Sequence, residues 1–163
     1  MPEYLDRIRE IIVEHRAILS YVKQVGDSIS DKAALTSLER ARLVSGGPEY
    51  LTQELVPLKQ TLAQLDEGLK NHFAREEEWL PPVLGKFLMR ALLIEHRDMQ
   101  KSIDDARSAA MDPVVEKLSK QELIAKDAEL KKLVARLSRL IRRHARMEDR
   151  VLGMLERAFV EEG

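Results

Sequence analysis

All four histidines of the chain fall into one repeated pattern. Glu14-His15-Arg16 is followed by His72-x3-Glu76, and Glu95-His96-Arg97 is followed by His144-x3-Glu148. The chain thus reads as two copies of one unit, a lone histidine and then a histidine with a carboxylate one helical turn later. Imidazole nitrogens and carboxylate oxygens are ligand atoms for iron, manganese and zinc, and they suit copper(I) or an iron–sulfur cluster poorly. Residues four apart on a helix share one face, with Cβ atoms ~5–6 Å apart, so His72 with Glu76 and His144 with Glu148 can each address one centre.

These residues need long helices to hold them. Apolar positions recur in steps of three and four at Leu5, Ile8, Ile12, His15, Leu19 and Val22, which predicts a helix over 4–25 ended by Gly26-Asp27. A weaker helical stretch, 32–44, stops at Ser45-Gly46-Gly47-Pro48. The next long helix spans 49–79, with a kink or later start at Pro57 and an end at Pro81-Pro82. Its seam is Leu55, Leu58, Leu62, Leu65, Leu69, His72, Glu76 and Trp79. The third helix spans 86–110, with Met89, Leu93, His96, Gln100 and Ile103 inside. The fourth starts at Val114 or Ser119 and runs to Val160, carrying Leu130, Leu133, Leu137, Leu140 or Ile141, His144, Glu148 and Val151 or Leu155. No stretch alternates long enough to be a strand. The expected architecture is all-α, an antiparallel up-down-up-down four-helix bundle with an extra short helix between the first two long ones.

On these stripes His15, His72, His96, His144, Glu76 and Glu148 stand where an apolar residue belongs, and Gln100 with them. A buried carboxylate without a partner costs several kcal/mol or takes up a proton. Metal coordination satisfies two carboxylates and four imidazoles together. Four nitrogen and two oxygen ligands suit two metals bridged by carboxylates, with open positions left over.

A single buried histidine is more often a hydrogen-bonded core residue, and a single His-x3-Glu pair is common on helix surfaces. The weight lies in all four histidines and both carboxylates sharing matched offsets. Competing signatures are missing. The residues three before the histidines are Ile12, Leu69, Leu93 and Ile141, so the ferritin-like Glu-x-x-His motif is absent. Neither a His-Glu-x-x-His protease helix nor a Gly-rich phosphate loop occurs.

Composition narrows the classes further. At 163 residues the chain fits a single domain, residues 1–163. Charged residues make up 34% and aromatics 4%, the balance of long amphipathic helices. The chain has no cysteine, which removes disulfides, thiolate ligands and thiol chemistry. A net charge of -1 gives no reason to expect nucleic acid or an anionic membrane as partner. The arginines of the last helix are interleaved with Glu148, Asp149 and Glu156 and lack aromatics, which also argues against nucleic acid. The first residues lack a signal peptide's apolar core, and no apolar run nears the ~20 residues of a membrane span. A soluble cytoplasmic protein is expected.

The motifs together resemble the hemerythrin-like, or HHE cation-binding, domain. The likeness rests on Glu14-His15-Arg16, on the run from His72 through Glu76 to Pro82, on Glu95-His96-Arg97, and on the run from His144 through Glu148 to Leu152. It covers nearly the whole chain, and its specificity lies in the order and spacing of the pieces. The resemblance implies a four-helix bundle around a non-haem di-iron centre bridged by two carboxylates and an oxo, hydroxo or water species. His15, His72, His96 and His144 would be terminal ligands, and Glu76 and Glu148 would bridge. Manganese or zinc could replace iron.

Many relatives carry a histidine or glutamate four residues after the third ligand histidine; here that residue is Gln100. An amide is a poor iron ligand, so Gln100 is expected as a hydrogen bonder behind the ligands or beside an open position. An open position near His96 and His144 would admit water, O2, NO or peroxide. Gln100→Glu is then expected to tighten the second metal position. Glu77 and Glu78 read as a solvated helix end, Glu14 and Glu95 as surface or helix-pairing residues with a place behind the ligand histidines as the alternative, and Trp79 as packing near the site. The function expected is binding or sensing of O2, NO or peroxide, or iron handling. The alternatives are a di-iron redox enzyme that decomposes peroxide or NO, and a metal-free or zinc-bound interaction bundle.

Overall fold

Three-four spacing of Ile, Leu and Val turns almost the whole chain into helix. A computed structural model describes residues 2–30, 36–111 and 118–161. Its elements are α1 (Pro2–Ser30), α2 (Thr36–Trp79), α3 (Pro81–Ala110) and α4 (Lys120–Glu161), with no strand among the described residues. The chain is all-α, and its four helices fit a four-helix bundle. No helix among the described residues is long and apolar enough to cross a membrane.

Several boundaries differ from the sequence expectation. α1 continues through Gly26 to Ser30. Residues 36–44 are not a separate short helix; they are the first turns of α2, which runs unbroken through Ser45-Gly46-Gly47-Pro48 and past Pro57. Residues 32–35 lie outside the described residues, as does Val114. A glycine inside a helix costs only about 1 kcal/mol relative to alanine and a proline about 3, local penalties that a long helix absorbs. At Pro57, Thr61 Oγ1 donates to the proline carbonyl at 2.8 Å.

Other boundaries follow from stop and start signals. α2 ends at Trp79, and Pro81 and Pro82 occupy the opening turn of α3, where a missing N–H costs nothing. Gly85 then adopts φ 68°, a left-handed value open to glycine, and divides that opening turn from the long helix beginning at Lys86. At the start of α4, Ser119 Oγ lies 2.6 Å from Glu122 Oε2, and the Ser119 N–H donates to the same oxygen at 2.7 Å. This is a capping box.

The core falls into two parts. One gathers Ile8 and Ile11 of α1, Leu80 between α2 and α3, Met89 and Leu92 of α3, and Leu152 of α4. The other gathers Ile18 and Val22, the α2 seam from Leu55 to Phe73, Met99 to Ala110 of α3, and Leu123 to Ile141 of α4. Burying each such side chain is worth about 1.5–3 kcal/mol. On α3 the inner stripe is Met89, Leu92, His96, Met99 and Ile103, while Leu93 is exposed. Leu92, Leu93 and Ile94 stand in a row, and three-four spacing alone could start from any of them. His15, His96 and His144 lie in the sequence gaps between the two apolar parts, and His72 stands beside Phe73 at the edge of the larger one, so a polar layer crosses the bundle between them.

Candidate metal centre

One helical turn of each element supplies that layer: His15 from α1, His72 and Glu76 from α2, His96 from α3, His144 and Glu148 from α4. All six side chains are buried, and Glu76 has no exposed surface. Glu76 is the hub. Its Oε1 lies 2.7 Å from His72 Nε2 and 3.3 Å from His15 Nε2, and its Oε2 lies 3.0 Å from His96 Nε2 and 3.9 Å from His144 Nε2. Glu148 Oε2 faces His144 Nε2 at 3.1 Å and His15 Nε2 at 3.3 Å. His15, His72, Glu76, His144 and Glu148 each bring a ligand atom within 4.8 Å of the others. His96 stands beside that five-membered cluster and joins it through Glu76.

The outer ring nitrogens are also occupied. His15 Nδ1 meets Asp149 at 2.6 Å, His72 Nδ1 meets Glu14 at 2.8 Å, His96 Nδ1 meets Glu77 at 2.9 Å, and His144 Nδ1 meets Glu95 at 3.0 Å. An ionised carboxylate only accepts, so each Nδ1 is the donor. In a neutral imidazole Nε2 is then a bare lone pair, and it points at another acceptor, a carboxylate oxygen. Nε2 of His72, His96 and His144, Oε2 of Glu76 and both oxygens of Glu148 are buried without a hydrogen-bond partner. Acceptors facing acceptors at such distances repel unless a positive charge stands between them.

A proton or a cation can supply that charge. Burial pushes the His15 imidazole down, but its contacts with Glu148, Glu76 and Asp149 outweigh this and carry its pKa up to about 10. Burial likewise opposes charging His144, yet Glu148, Glu76 and Glu95 raise it. Burial would lift the Glu76 carboxyl, and contacts with His15, His72 and His96 hold it well below its ordinary value instead. The donor set of imidazole nitrogens and carboxylate oxygens fits a metal cation, which would take the place of the protons.

The Hemerythrin HHE cation binding domain profile matches residues 6–155. The chain belongs to this family. The match spans every residue of the polar layer, so the hemerythrin-like assignment and the buried His/Glu cluster describe the same part of the molecule. No curated protein and no solved structure matches the chain significantly.

Gln100 does not join the layer's contacts. Its Nε2 donates to Asp66 Oδ1 at 2.8 Å and to Asp104 Oδ1 at 3.2 Å. Of the four acids that hold imidazoles, Glu14 and Glu95 were favoured from sequence as surface or pairing residues with a place behind the ligands as the alternative, while Glu77 was read as solvated and Asp149 as part of the charged α4 face. The signal that could have found them is the repeat itself, which sets an acid before both lone histidines and after both inner glutamates. Phe73 was missed as well. Its ring stacks on His96, centroids 4.0 Å apart and 13° from parallel, and closes the layer toward the larger apolar cluster. Trp79 is half-buried against the smaller cluster.

Proposed function

We propose that the chain is one cytoplasmic hemerythrin-like domain whose antiparallel bundle holds a non-haem di-iron centre. Its task is to bind or sense O2, NO or peroxide, or to handle iron. His15, His72, His96 and His144 would be terminal ligands, with Glu76 and Glu148 bridging. The observation that carries this reading is the set of buried Nε2 and carboxylate atoms that face one another without hydrogen bonds. The two apolar clusters support the antiparallel bundle, since the smaller joins the first half of α1 and α3 to Leu152 near the end of α4, and the larger joins the second half of α1 and α3 to the first half of α4.

Iron held there would supply redox chemistry and open coordination positions, and the protein decides what reaches them. Between α3 and α4 a mainly apolar cavity of about 110 Å³, lined by Leu84, Leu88, Ala91, Leu92, Met147 and Val151 and also by Glu95, reaches His144 and Glu148. Such a lining favours small uncharged molecules, which supports O2 or NO as the ligand. Anaerobic titration with iron(II), followed by exposure to O2, NO and peroxide under an absorption spectrometer, tests the reading. The expected result is saturation near about two equivalents and a spectral change with at least one of the three. Failure to take up iron, or an iron-loaded chain inert to all three, would overturn it.

A further inference from the structure

Each carboxylate that holds an imidazole comes from the helix before it around the bundle. Glu14 of α1 holds His72 of α2, Glu77 of α2 holds His96 of α3, Glu95 of α3 holds His144 of α4, and Asp149 of α4 holds His15 of α1. The four hydrogen bonds therefore close on themselves. Helix geometry explains the closure. Adjacent residues are about 100° apart around a helix, so the neighbour of an inward-facing residue lies on the flank and meets the next helix. The bracing residue comes one before the inward histidine on α1 and α3, and one after the inward glutamate on α2 and α4. A backward step on one pair of helices and a forward step on an oppositely directed pair turn the same way around the bundle.

The four braces fall into two grades, related by the sequence repeat. Glu14 gives Oε2 to His72 and Oε1 to Arg75 at 2.7 Å, so both oxygens are held. Glu95 gives Oε2 to His144 and Oε1 to Arg143 at 3.5 Å. Their side chains are 18% and 23% exposed, against 43% for Glu77 and 37% for Asp149.

We propose that Glu14, Glu77, Glu95 and Asp149 are positioning residues that form one closed carboxylate–imidazole ring, with Glu14 and Glu95, each held by an arginine, as its dominant members. The ring keeps the proton of every imidazole on Nδ1 and so turns every Nε2 lone pair toward the centre, a role that rests on the metal reading above. It also ties each helix to the next, so that metal affinity and helix-to-helix cohesion depend on the same four bonds. Losing one outer partner of a ligand histidine commonly lowers metal affinity about 10–100-fold.

The test uses the full chain and zinc(II), a diamagnetic probe, in competition with a chromophoric chelator. Glu14→Ala and Glu95→Ala are expected to weaken zinc binding about 10–100-fold, and Glu77→Ala and Asp149→Ala by less. Glu14→Gln and Glu95→Gln keep an accepting oxygen and are expected to stay within roughly threefold of the unmodified chain. Alanine variants at 14 and 95 that bind as tightly as the unmodified chain would overturn the proposal, as would glutamine variants that lose as much as alanine. The ring is read separately by imidazole proton NMR of the metal-free chain. The Nδ1 protons of His72 and His144 should be protected from exchange, and should lose that protection in Glu14→Ala and Glu95→Ala respectively. Equal protection in the variants would overturn the ring itself. An unmodified chain that bound neither zinc nor iron would instead overturn the metal reading.

Discussion

Gln100 donates its amide N–H to Asp66 Oδ1 at 2.8 Å, so its donor serves a buried carboxylate of the neighbouring helix rather than the histidine layer. Asp66 also accepts from Lys70 at 2.9 Å and pairs with Arg107. Burial would raise its carboxyl, but Gln100, Lys70 and Arg107 hold it below the usual range. Gln100→Glu removes one donor and sets a like charge against Asp66. The expected outcome is a loss of about 1–3 kcal/mol in urea unfolding, with metal content unchanged. Tighter metal binding in this variant would return Gln100 to the centre, as the sequence alone suggested.

Glu76 and Glu148 occupy matching places in the repeat but make unequal contacts. Glu76 reaches all four Nε2 atoms, and Glu148 reaches those of His15 and His144. Glu76→Ala should therefore abolish metal retention, whereas Glu148→Ala should leave a reduced, measurable fraction. Elemental analysis of the two purified variants checks this. Equal metal content in both would contradict the hub role of Glu76.

The metal-free chain should be least tolerant of alkaline conditions. The folded-state pKa of His15 is raised from 6.5 to about 10, so its contribution is fully present below about pH 6.5 and is lost as pH climbs toward 10. His144 is raised too and acts in the same direction. Glu76 is lowered, so its contribution is present above its ordinary 4.5 and fades only in stronger acid. Urea unfolding of the metal-free chain should accordingly show greatest stability between about pH 4.5 and 6.5 and a decline toward pH 9. Metal loading should remove that decline, because the cation replaces the protons. An alkaline decline of equal size with and without metal would contradict this.

The cavity between α3 and α4 gives a kinetic prediction. Leu88 is half-exposed at its mouth, and His144 and Glu148 lie at its inner end. Leu88→Trp should fill the mouth and slow NO association with the iron-loaded chain about tenfold or more, while iron content and unfolding midpoint stay near those of the unmodified chain. Stopped-flow absorption measures the rate, and an unchanged rate would place entry elsewhere.

Much of the buried histidine–glutamate cluster was legible in the sequence because its chemistry contradicts its position. His15, His72, His96, His144, Glu76 and Glu148 interrupt apolar stripes, and such interruptions are visible without coordinates. The helix over 86–110 was legible because Pro81-Pro82 and Gly85 leave few alternatives. The continuity of α2 through Gly46-Gly47-Pro48 was not, because those residues weaken a helix without forbidding one. The contacts of Gln100 were not legible for a related reason. Three-four spacing allowed either Leu92 or Leu93 on the inner stripe of α3, and the choice rotates Gln100 toward or away from the layer. Glu77 and Asp149 were hidden, and Glu14 and Glu95 left between two readings, because a flank residue next to a ligand looks like any solvated surface charge until the neighbouring helix is in place.

The most direct test is the metal content of the unmodified chain, measured by elemental analysis after growth with iron and purification without a tag. The account predicts about two iron ions per chain, the number that four imidazoles and two bridging carboxylates suit. Zinc alone, or no metal, would contradict it and leave the facing acceptors of Glu76, Glu148 and the histidines to be satisfied by protons.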